Sequence, residues 1–148
     1  MKFKRLPFKE FMEIYRKVPR AAVDVIVVSK KGFLLTKRAI PPFKGMWHIP
    51  GGTILFMESV KHAINRITKE ELGIKLKDIK HLGVIEYLND EDRHTVSNSY
   101  LATIRSGKLR GSEQGKEIKF FKKTPQKFIS EQKRFINKYL HVIEDYLS

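Results

Sequence analysis

The chain has 148 residues, of which 41% are hydrophobic and 11% aromatic, with no cysteine and 30 Lys and Arg against 16 Asp and Glu, a formal net charge of +14. This length and apolar content predict one folded domain over residues 1–148 and exclude a disordered basic tail, and the absence of cysteine excludes disulfides, thiolate metal sites and thiol catalysis. Because the first 17 residues contain no uninterrupted apolar core and the longest apolar run carries Asp24, we expect a soluble cytoplasmic protein with no membrane partner.

The first third of the sequence predicts a helix followed by a β-hairpin. Apolar residues at helical spacing indicate a helix over residues 8–18, which Pro19 ends. β-Branched residues over residues 20–29 are typical of a buried strand, and a turn connects this strand to a second one over residues 33–38.

The middle of the chain changes from extended to helical periodicity. A short strand over residues 46–50 runs into a turn at Gly51-Gly52. A single apolar stripe then predicts a helix over residues 58–72. Gly73 follows where a helix C-terminus needs a residue free to adopt positive φ.

The last part of the chain predicts three strands and a terminal helix. The strands cover residues 79–88, 96–105 and 117–121. Thr124-Pro125 is a typical helix start, and residues 131–147 are amphipathic at helical spacing. The predicted fold is therefore mixed α/β, with a sheet packed between helices.

Charge is unevenly distributed along the chain. Residues 1–50 carry 12 basic and 3 acidic side chains, residues 51–100 carry 7 and 8, and residues 101–148 carry 11 and 5. A basic body with a locally acidic middle suits an enzyme that attracts a polyanionic substrate and holds a divalent cation. The same charge would also attract nucleic acid, so it does not by itself identify the partner.

The segment GGTILFMESVKHAINRITKEELGI, residues 51–74, carries the acidic cluster. Arg66 and Glu70 are four residues apart and share one face of the predicted helix, with Glu71 one position round. Glu58 lies at the helix N-terminus, where the helix dipole favours a carboxylate, and it could also pair with Arg66. Hard oxygen ligands in this arrangement suit Mg²⁺ or Mn²⁺, and a carbonyl of the Gly51-Gly52 turn could complete the coordination.

This segment resembles the signature of the Nudix hydrolase family, and the preceding WHIPGG resembles the usual lead-in. The matching positions of the signature are Gly52, Glu58, Arg66, the pair Glu70-Glu71, and Gly73 followed by Ile74. The resemblance implies the Nudix fold, an α/β/α sandwich on a mixed sheet. It also implies Mg²⁺-dependent attack of water on a nucleoside diphosphate linked to another group.

The same resemblance implies a role for each position of the signature. Glu70 and Glu71 would be metal ligands, together with the Gly51 carbonyl. Glu58 and Arg66 would support the loop and the helix. One position departs from the usual signature, because Ile67 replaces a glutamate that is often a metal ligand and lies one helical turn before Glu71. Fewer negative charges should hold fewer cations, and we expect one; the change is also compatible with an inactive domain.

The chain is also similar to the GDP-mannose mannosyl hydrolase branch of the family, which lacks the same glutamate and attacks the sugar carbon. The similarity covers the opening LPFKEFMEIYRKVPRAAVD, the FLLTKR strand and the RITKEELGI form of the signature. It implies that Glu71 is the main side-chain metal ligand and Gln114 another. Lys37 and Arg38 of FLLTKR would bind the diphosphate, with Arg38 stabilising the departing charge. Catalysis would then depend on Glu71, Glu70 and Arg38.

Further substrate contacts implied by this branch are Asp24 and Tyr100, and two positions disagree with it. The histidine that serves as its general base corresponds to Gly115, and an arginine directly after the Gly-Gly pair corresponds to Thr53. An inverting displacement at a sugar carbon needs a base to activate water. By loop position His94 and Glu113 are candidates, whereas His48, beside Trp47, is expected to be a packed or hydrogen-bonded side chain.

The sequence therefore predicts a Mg²⁺- or Mn²⁺-dependent hydrolase of a nucleoside diphosphate derivative, with a nucleotide sugar of the GDP-mannose type as the first candidate. The alternatives are cleavage of a pyrophosphate bond in a nucleoside triphosphate or dinucleotide, and a non-catalytic domain that binds a nucleotide or RNA. The resemblance to the mannosyl hydrolase branch also favours a homodimer.

Overall fold

A computed structural model describes residues 3–41, 43–88, 92–112, 115 and 117–146. These residues form four helices and seven strands. In chain order they are α1 (Phe8–Tyr15), β1 (Arg20–Ser29), β2 (Gly32–Lys37), β3 (Trp47–His48), β4 (Gly51–Thr53), α2 (Val60–Leu72), β5 (Ile74–Tyr87), β6 (Thr95–Gly107), β7 (Glu117–Phe121), α3 (Ser130–Lys138) and α4 (Leu140–Glu144). Among the described helices, none combines the length and apolar character needed to cross a bilayer.

The strands form one mixed sheet. Its main path runs β3-β2-β1-β6-β5, with β4 paired to β1 and β7 paired to β2. Strands β1 and β6 are parallel, and the other pairs are antiparallel. In the β1–β4 pair Asp24 lies opposite Gly51, so the segment that begins the signature is tied to the central strand.

Alternate residues of β1 face two separate cores. Val23, Val25 and Val27 pack with the buried face of α2, while Ile26 and Val28 pack with α3 and α4. This alternation is the period of a strand buried on both faces. The molecule is therefore the predicted α/β/α sandwich. Helix α1 buries none of its residues.

The boundaries of two predicted elements need correction. Helix α1 ends at Tyr15, three residues before the predicted end, because Val18 precedes Pro19 and a residue before proline is driven out of the helical region. Strand β5 begins at Ile74, five residues before the predicted start. Its first residues alternate buried and exposed, but Asp78 adopts a φ of 54° beside an irregularity in the ladder, and this interrupts the pattern that the sequence shows.

The predicted helix start at Thr124-Pro125 is wrong. The amide of Trp47 donates to the carbonyl of Lys127, and the amide of Ile129 donates to the carbonyl of Trp47. This backbone pairing keeps the chain extended until Ser130, where α3 begins. The terminal helix is also divided, because Tyr139 has φ −104° and ψ 13° and separates α3 from α4.

The predicted turn at Gly51-Gly52 is a strand. Both residues are extended in β4 and pair with Asp24 and Val23. Glycine at 51 is required by space: a Cβ there would lie 2.3 Å from Asp24 Oδ1 and 2.5 Å from the Val23 carbonyl oxygen. Gly51 therefore allows close packing of β4 on β1, whereas Gly52 faces Ile67 of α2.

Candidate active site

A buried ion pair joins the start of the signature to α2. Arg66 donates from Nε to Glu58 Oε2 at 2.8 Å and from Nη2 to Glu58 Oε1 at 3.0 Å. The Arg66 guanidinium also donates to the Thr53 carbonyl at 2.9 Å, and the Leu55 amide donates to Glu58 Oε1 at 3.0 Å. The side chain of Glu58 is fully buried. These contacts connect β4, the loop after it and α2.

The environment of Glu58 favours its charged form. Burial raises the pKa of the carboxyl, but hydrogen bonds from Arg66, the Leu55 amide and His62 more than offset burial and lower the pKa from 4.5 to about 2. Glu58 does not belong to the helix itself, because Ser59 is the N-cap and accepts from the His62 amide at 3.1 Å. It therefore acts on α2 mainly through Arg66 rather than as a first-turn residue.

The second half of the site is the contact between α2 and β4. Glu71 lies on the last turn of α2 and accepts a hydrogen bond from the Gly51 backbone amide. Gly51 lies opposite Asp24, whose side chain is buried. A backbone hydrogen bond that lowers the pKa of a carboxyl comes from an amide, whereas the sequence-based prediction concerns the carbonyl of Gly51 and stays a prediction.

The pKa of Glu71 is raised from 4.5 to about 7. Burial is the main cause; the positive charge of Arg38 opposes it, and the negative charges of Asp24 and Glu70 add to it. A bound cation would stabilise the charged form of a desolvated carboxylate that lies near two other carboxylates, so this environment favours cation binding.

The two glutamates of the pair have different surroundings. Glu71 points to β4, whereas the half-exposed carboxylate of Glu70 forms an ion pair with Arg5 and lies 3.7 Å from Nη1 of Arg66. Ile67 is buried, and a Cβ at Gly52 would lie 3.3 Å from its Cδ1, so the turn before Glu71 packs against β4 with an apolar side chain. Of the described carboxylates in the signature, Glu71 is the one in contact with Gly51.

The predicted substrate-binding residues lie on different parts of the sheet. Arg38 follows β2, donates to the Pro41 carbonyl, and lies close enough for its charge to act on Glu71 and His48. Lys37 faces the Trp47 ring and Glu117 instead. Tyr100 lies on β6 with its ring edge-on to His81 at 5.1 Å between centroids. Arg38 is thus the residue of this group that the geometry associates most directly with Glu71.

Of the two candidates for the general base, the structure describes His94 but not Glu113. His94 immediately precedes β6, and its carbonyl accepts a hydrogen bond from the Arg20 amide. The Arg20 side chain donates to Thr53, which is at the opposite end of β4 from Gly51. Glu113 and the predicted metal ligand Gln114 lie outside the described residues. Gly115 is buried, and a Cβ there would lie 3.3 Å from Thr36 Oγ1.

His48 is hydrogen-bonded, as the sequence predicts. Its Nε2 lies 2.9 Å from Thr36 Oγ1. Burial and the nearby charge of Arg38 lower its pKa from 6.5 to about 4, against the raising effect of a hydrogen bond with the Thr36 backbone. His48 is therefore a neutral imidazole at neutral pH.

Two residues near the site carry no signal in the sequence. Tyr87, the last residue of β5, donates to Asp24 Oδ2 at 3.0 Å, and Gln132 of α3 donates to the Tyr87 hydroxyl at 2.9 Å. Both are remote from the signature in sequence. The sequence pattern around a buried tyrosine or glutamine does not show whether that residue contacts a site or only packs in the core.

The donor set fits one hard divalent cation. No group of three or more His, Cys, Asp or Glu side chains suited to a metal ion occurs among the residues with described positions. Mg²⁺, however, typically takes one or two carboxylates and keeps several waters. Glu71, with its desolvated carboxylate beside the Gly51 backbone, provides that minimal kind of site.

Gly51→Ala tests the close packing of β4 on β1. Because the added Cβ would lie 2.3 Å from Asp24 Oδ1 and 2.5 Å from a backbone oxygen, β4 must move away from β1. We expect a loss of about 1–3 kcal/mol in the free energy of unfolding, measured by urea denaturation. Gly52→Ala is the control, because Gly52 lies in the same strand without a positive φ and a Cβ there would meet only the Ile67 side chain, at 3.3 Å. A loss in Gly52→Ala as large as that in Gly51→Ala would contradict the packing argument.

Comparison with known proteins agrees with this geometry. The sequence profile of the NUDIX domain matches residues 18–136. The chain is 29% identical over 124 residues to the low-salt glycan biosynthesis protein Agl8 of Haloferax volcanii, covering 79% of this chain and 80% of that protein. It is 36% identical over 104 residues to an ADP-ribose pyrophosphatase of Methanocaldococcus jannaschii, and the match covers 70% of this chain and 62% of that protein.

Solved structures give the same result. The MutT NUDIX hydrolase from Burkholderia pseudomallei superposes with a TM-score of 0.75 at 29% sequence identity, covering 82% of this chain and 98% of that one. A UDP-X diphosphatase, 17% identical with a TM-score of 0.71 over 95% of this chain, shares the fold. With the signature residues on β4 and α2 and a family match over most of its length, the chain belongs to the Nudix family of hydrolases.

Proposed function

We propose that this protein hydrolyses a nucleoside diphosphate linked to a sugar, using one Mg²⁺ or Mn²⁺ ion. The observation that carries the proposal is the burial of the Glu71 carboxylate on α2, where the positive charge of the Arg38 guanidinium, after β2, lowers its pKa against the effect of burial. A divalent cation and a guanidinium are the two groups that bind a diphosphate most effectively in proteins.

The relatives support this substrate class. One is named a glycan biosynthesis protein and another an ADP-ribose pyrophosphatase. ADP-ribose is itself a nucleoside diphosphate joined to a sugar, so a nucleotide-sugar substrate is compatible with both. GDP-mannose is the first member of the class to test, because the chain is similar to the mannosyl hydrolase branch over the FLLTKR strand and the signature.

The proposed roles follow from the contacts. Glu71 would hold the cation with the Gly51 carbonyl, and the resemblance to the mannosyl hydrolase branch, rather than a contact, assigns a further oxygen ligand to Gln114. A divalent ion at this place supplies positive charge to the diphosphate oxygens. Arg38 would neutralise the diphosphate as it departs, and the pair Glu58–Arg66 would keep β4 and α2 in register. Glu70, which is bound to Arg5, would contribute mainly through its charge.

The surroundings of Ile67 favour attack at the sugar carbon. Because this side chain is buried against Gly52, α2 presents one carboxylate to β4 rather than two. In the proposed step, water forms a bond to the anomeric carbon, the bond from that carbon to the diphosphate oxygen breaks, and the nucleoside diphosphate leaves with the electron pair. The proton of the water passes to a base; His94 and Glu113 are the candidates to be tested.

Product analysis tests the proposal. The protein is incubated with GDP-mannose, other nucleotide sugars, ADP-ribose, nucleoside triphosphates and dinucleotides, each with Mg²⁺ or Mn²⁺, and the products are separated by ion-exchange chromatography. We expect free sugar and nucleoside diphosphate. Reaction in H₂¹⁸O locates the attack, because the label enters the sugar after attack at carbon and a phosphate after attack at phosphorus.

The second candidate is cleavage of the pyrophosphate bond, favoured by the 36% identity to an ADP-ribose pyrophosphatase. It predicts nucleoside monophosphate and sugar phosphate, with the label in a phosphate. That result would keep the substrate class and overturn attack at carbon. No metal-dependent product from any of these compounds would overturn the hydrolase proposal and favour a binding domain, whose affinity for a polyanion would fall steeply with salt.

A further inference from the structure

A chain of buried hydrogen bonds crosses the sheet behind the proposed metal site. The Ile49 amide donates to Gln132 Oε1 at 2.7 Å, and Gln132 Nε2 donates to the Tyr87 hydroxyl at 2.9 Å. Tyr87 in turn donates to Asp24 Oδ2 at 3.0 Å. All four residues are less than 9% exposed. This chain links α3 and the end of β5 to β1 without passing through the signature.

Both ends of this chain of hydrogen bonds contact residues 49–51, the segment at which the signature begins. At one end Gln132 binds the Ile49 amide. At the other end Asp24 lies opposite Gly51, so close that a Cβ on Gly51 would lie 2.3 Å from Asp24 Oδ1. Between them the Pro50 carbonyl accepts from the Val25 amide at 2.8 Å. The backbone of residues 49–51 is thus held at each position.

The position of this backbone matters because Gly51 is a proposed ligand of the cation and α2, which carries Glu71, packs on β4 beside it. A Cβ on Gly52 would lie 3.3 Å from Ile67 Cδ1 of α2, so a shift of residues 49–51 moves the Gly51 backbone relative to Glu71. Partners that orient a metal ligand typically change metal affinity by ten- to a hundredfold when they are removed. In a packed interior a small shift is transmitted rather than absorbed.

We infer that Tyr87 and Gln132 are positioning residues for the metal site: by binding Asp24 and the Ile49 amide, they fix the Gly51 backbone against Glu71. The inference rests on the proposed function in one respect, namely that Glu71 and Gly51 hold the cation. It adds that residues of β5 and α3, on the face of the sheet opposite α2, determine how tightly the cation binds.

The test is Tyr87→Phe, which removes one hydroxyl and keeps the ring in the core. Mn²⁺ binding to the protein without nucleotide is measured from the signal of free Mn²⁺ by electron paramagnetic resonance, and unfolding is followed separately by urea denaturation. We expect the Kd for Mn²⁺ to rise about tenfold. Gln132→Met, which removes both hydrogen bonds of that side chain at similar volume, should raise it by a similar factor.

Tyr139→Phe is the matched control. Tyr139 packs against the same core, and a Cβ on Gly83 of β5 would lie 3.0 Å from its hydroxyl, but none of the hydrogen bonds found among the described residues joins that hydroxyl to residues 49–51. We expect its Kd for Mn²⁺ to equal that of the wild type. If the hydrogen bonds act as one unit, the double variant Tyr87→Phe with Gln132→Met should bind Mn²⁺ about as weakly as the weaker single variant.

The outcomes separate this inference from the proposed function. If Tyr87→Phe is less stable but its Kd for Mn²⁺ is unchanged, the inference is overturned: the buried hydrogen bonds then only stabilise the core, and the proposed metal site is unaffected. Failure of the wild type to bind Mn²⁺ would overturn both. Tight Mn²⁺ binding that depends on Tyr87, in a protein that hydrolyses no nucleotide sugar, would support the inference and overturn the proposed substrate.

Discussion

Replacing Glu71 by glutamine is expected to reduce metal-dependent turnover by at least about a hundredfold, because residues that merely orient a metal ligand already cost ten- to a hundredfold. Glutamine keeps the size of the side chain and an oxygen able to accept from the Gly51 amide. It removes the charge that Arg38, Asp24 and Glu70 act on. Steady-state kinetics with the substrate found by product analysis measures the effect.

The same substitution should stabilise the protein when no metal is present. The pKa of Glu71 is raised from 4.5 to about 7, so the folded protein favours the neutral carboxyl. For an acid whose pKa is raised by folding, the stability is fully present below pH 4.5 and is lost as the pH rises to about 7. Above that pH the wild type has lost up to about 3 kcal/mol, and Glu71→Gln has not.

Thermal unfolding in the presence of a chelator tests this sign. At pH 8 we expect Glu71→Gln to melt roughly 5–10 °C above the wild type, and at pH 4 we expect the two to coincide. Mg²⁺ or Mn²⁺ should raise the Tm of the wild type at pH 8 and leave that of the variant unchanged. A variant that is less stable than the wild type at pH 8 without metal would contradict the view that Glu71 is a cation site.

Much of the fold follows from local patterns in the sequence. The β-branched run of β1 and the apolar stripe of α2 are long and regular, and Gly73, at φ 70°, ends α2 as its position predicts. The sequence does not indicate the short strand β4, because two glycines have no side chain from which to infer an extended conformation. Its extended form depends on pairing with β1, a contact between residues distant in sequence.

The helix boundaries near the C-terminus fail for a related reason. Thr124-Pro125 has the composition of a helix start, but the backbone of residues 127–129 is bound to Trp47. Local preference for a helix is a weak effect that tertiary contacts override. The same limit applies to the site: the signature indicates Glu58, Arg66 and Glu71, but the hydrogen bonds of Tyr87 and Gln132 to its supporting segment exist only in the folded chain.

The buried pair Glu58–Arg66 is expected to make a large electrostatic contribution to stability. Glu58 is fully buried on its side chain, Arg66 is 14% exposed, and two hydrogen bonds join them. Removing one partner of such a pair leaves a buried charge without compensation. We expect Glu58→Gln to lower the free energy of unfolding by about 3 kcal/mol at pH 7, measured by urea denaturation.

Glu70→Gln is the matched control. It replaces the same type of residue and removes a carboxylate that also faces Arg66, at 3.7 Å, but this carboxylate is half-exposed. Exposed ion pairs contribute about 1 kcal/mol or less. A loss in Glu70→Gln as large as that in Glu58→Gln would show that proximity to Arg66, rather than burial, determines the effect.

The pH dependence of Glu58→Gln distinguishes charge from packing. Since folding lowers the pKa of Glu58 from 4.5 to about 2, its contribution to stability is complete above pH 4.5 and is lost as the pH falls towards 2. The difference between wild type and variant should therefore shrink to about half by pH 3. A difference that stays constant from pH 7 to pH 3 would mean that Glu58 joins β4 to α2 by shape and neutral hydrogen bonds, and that its charge contributes nothing.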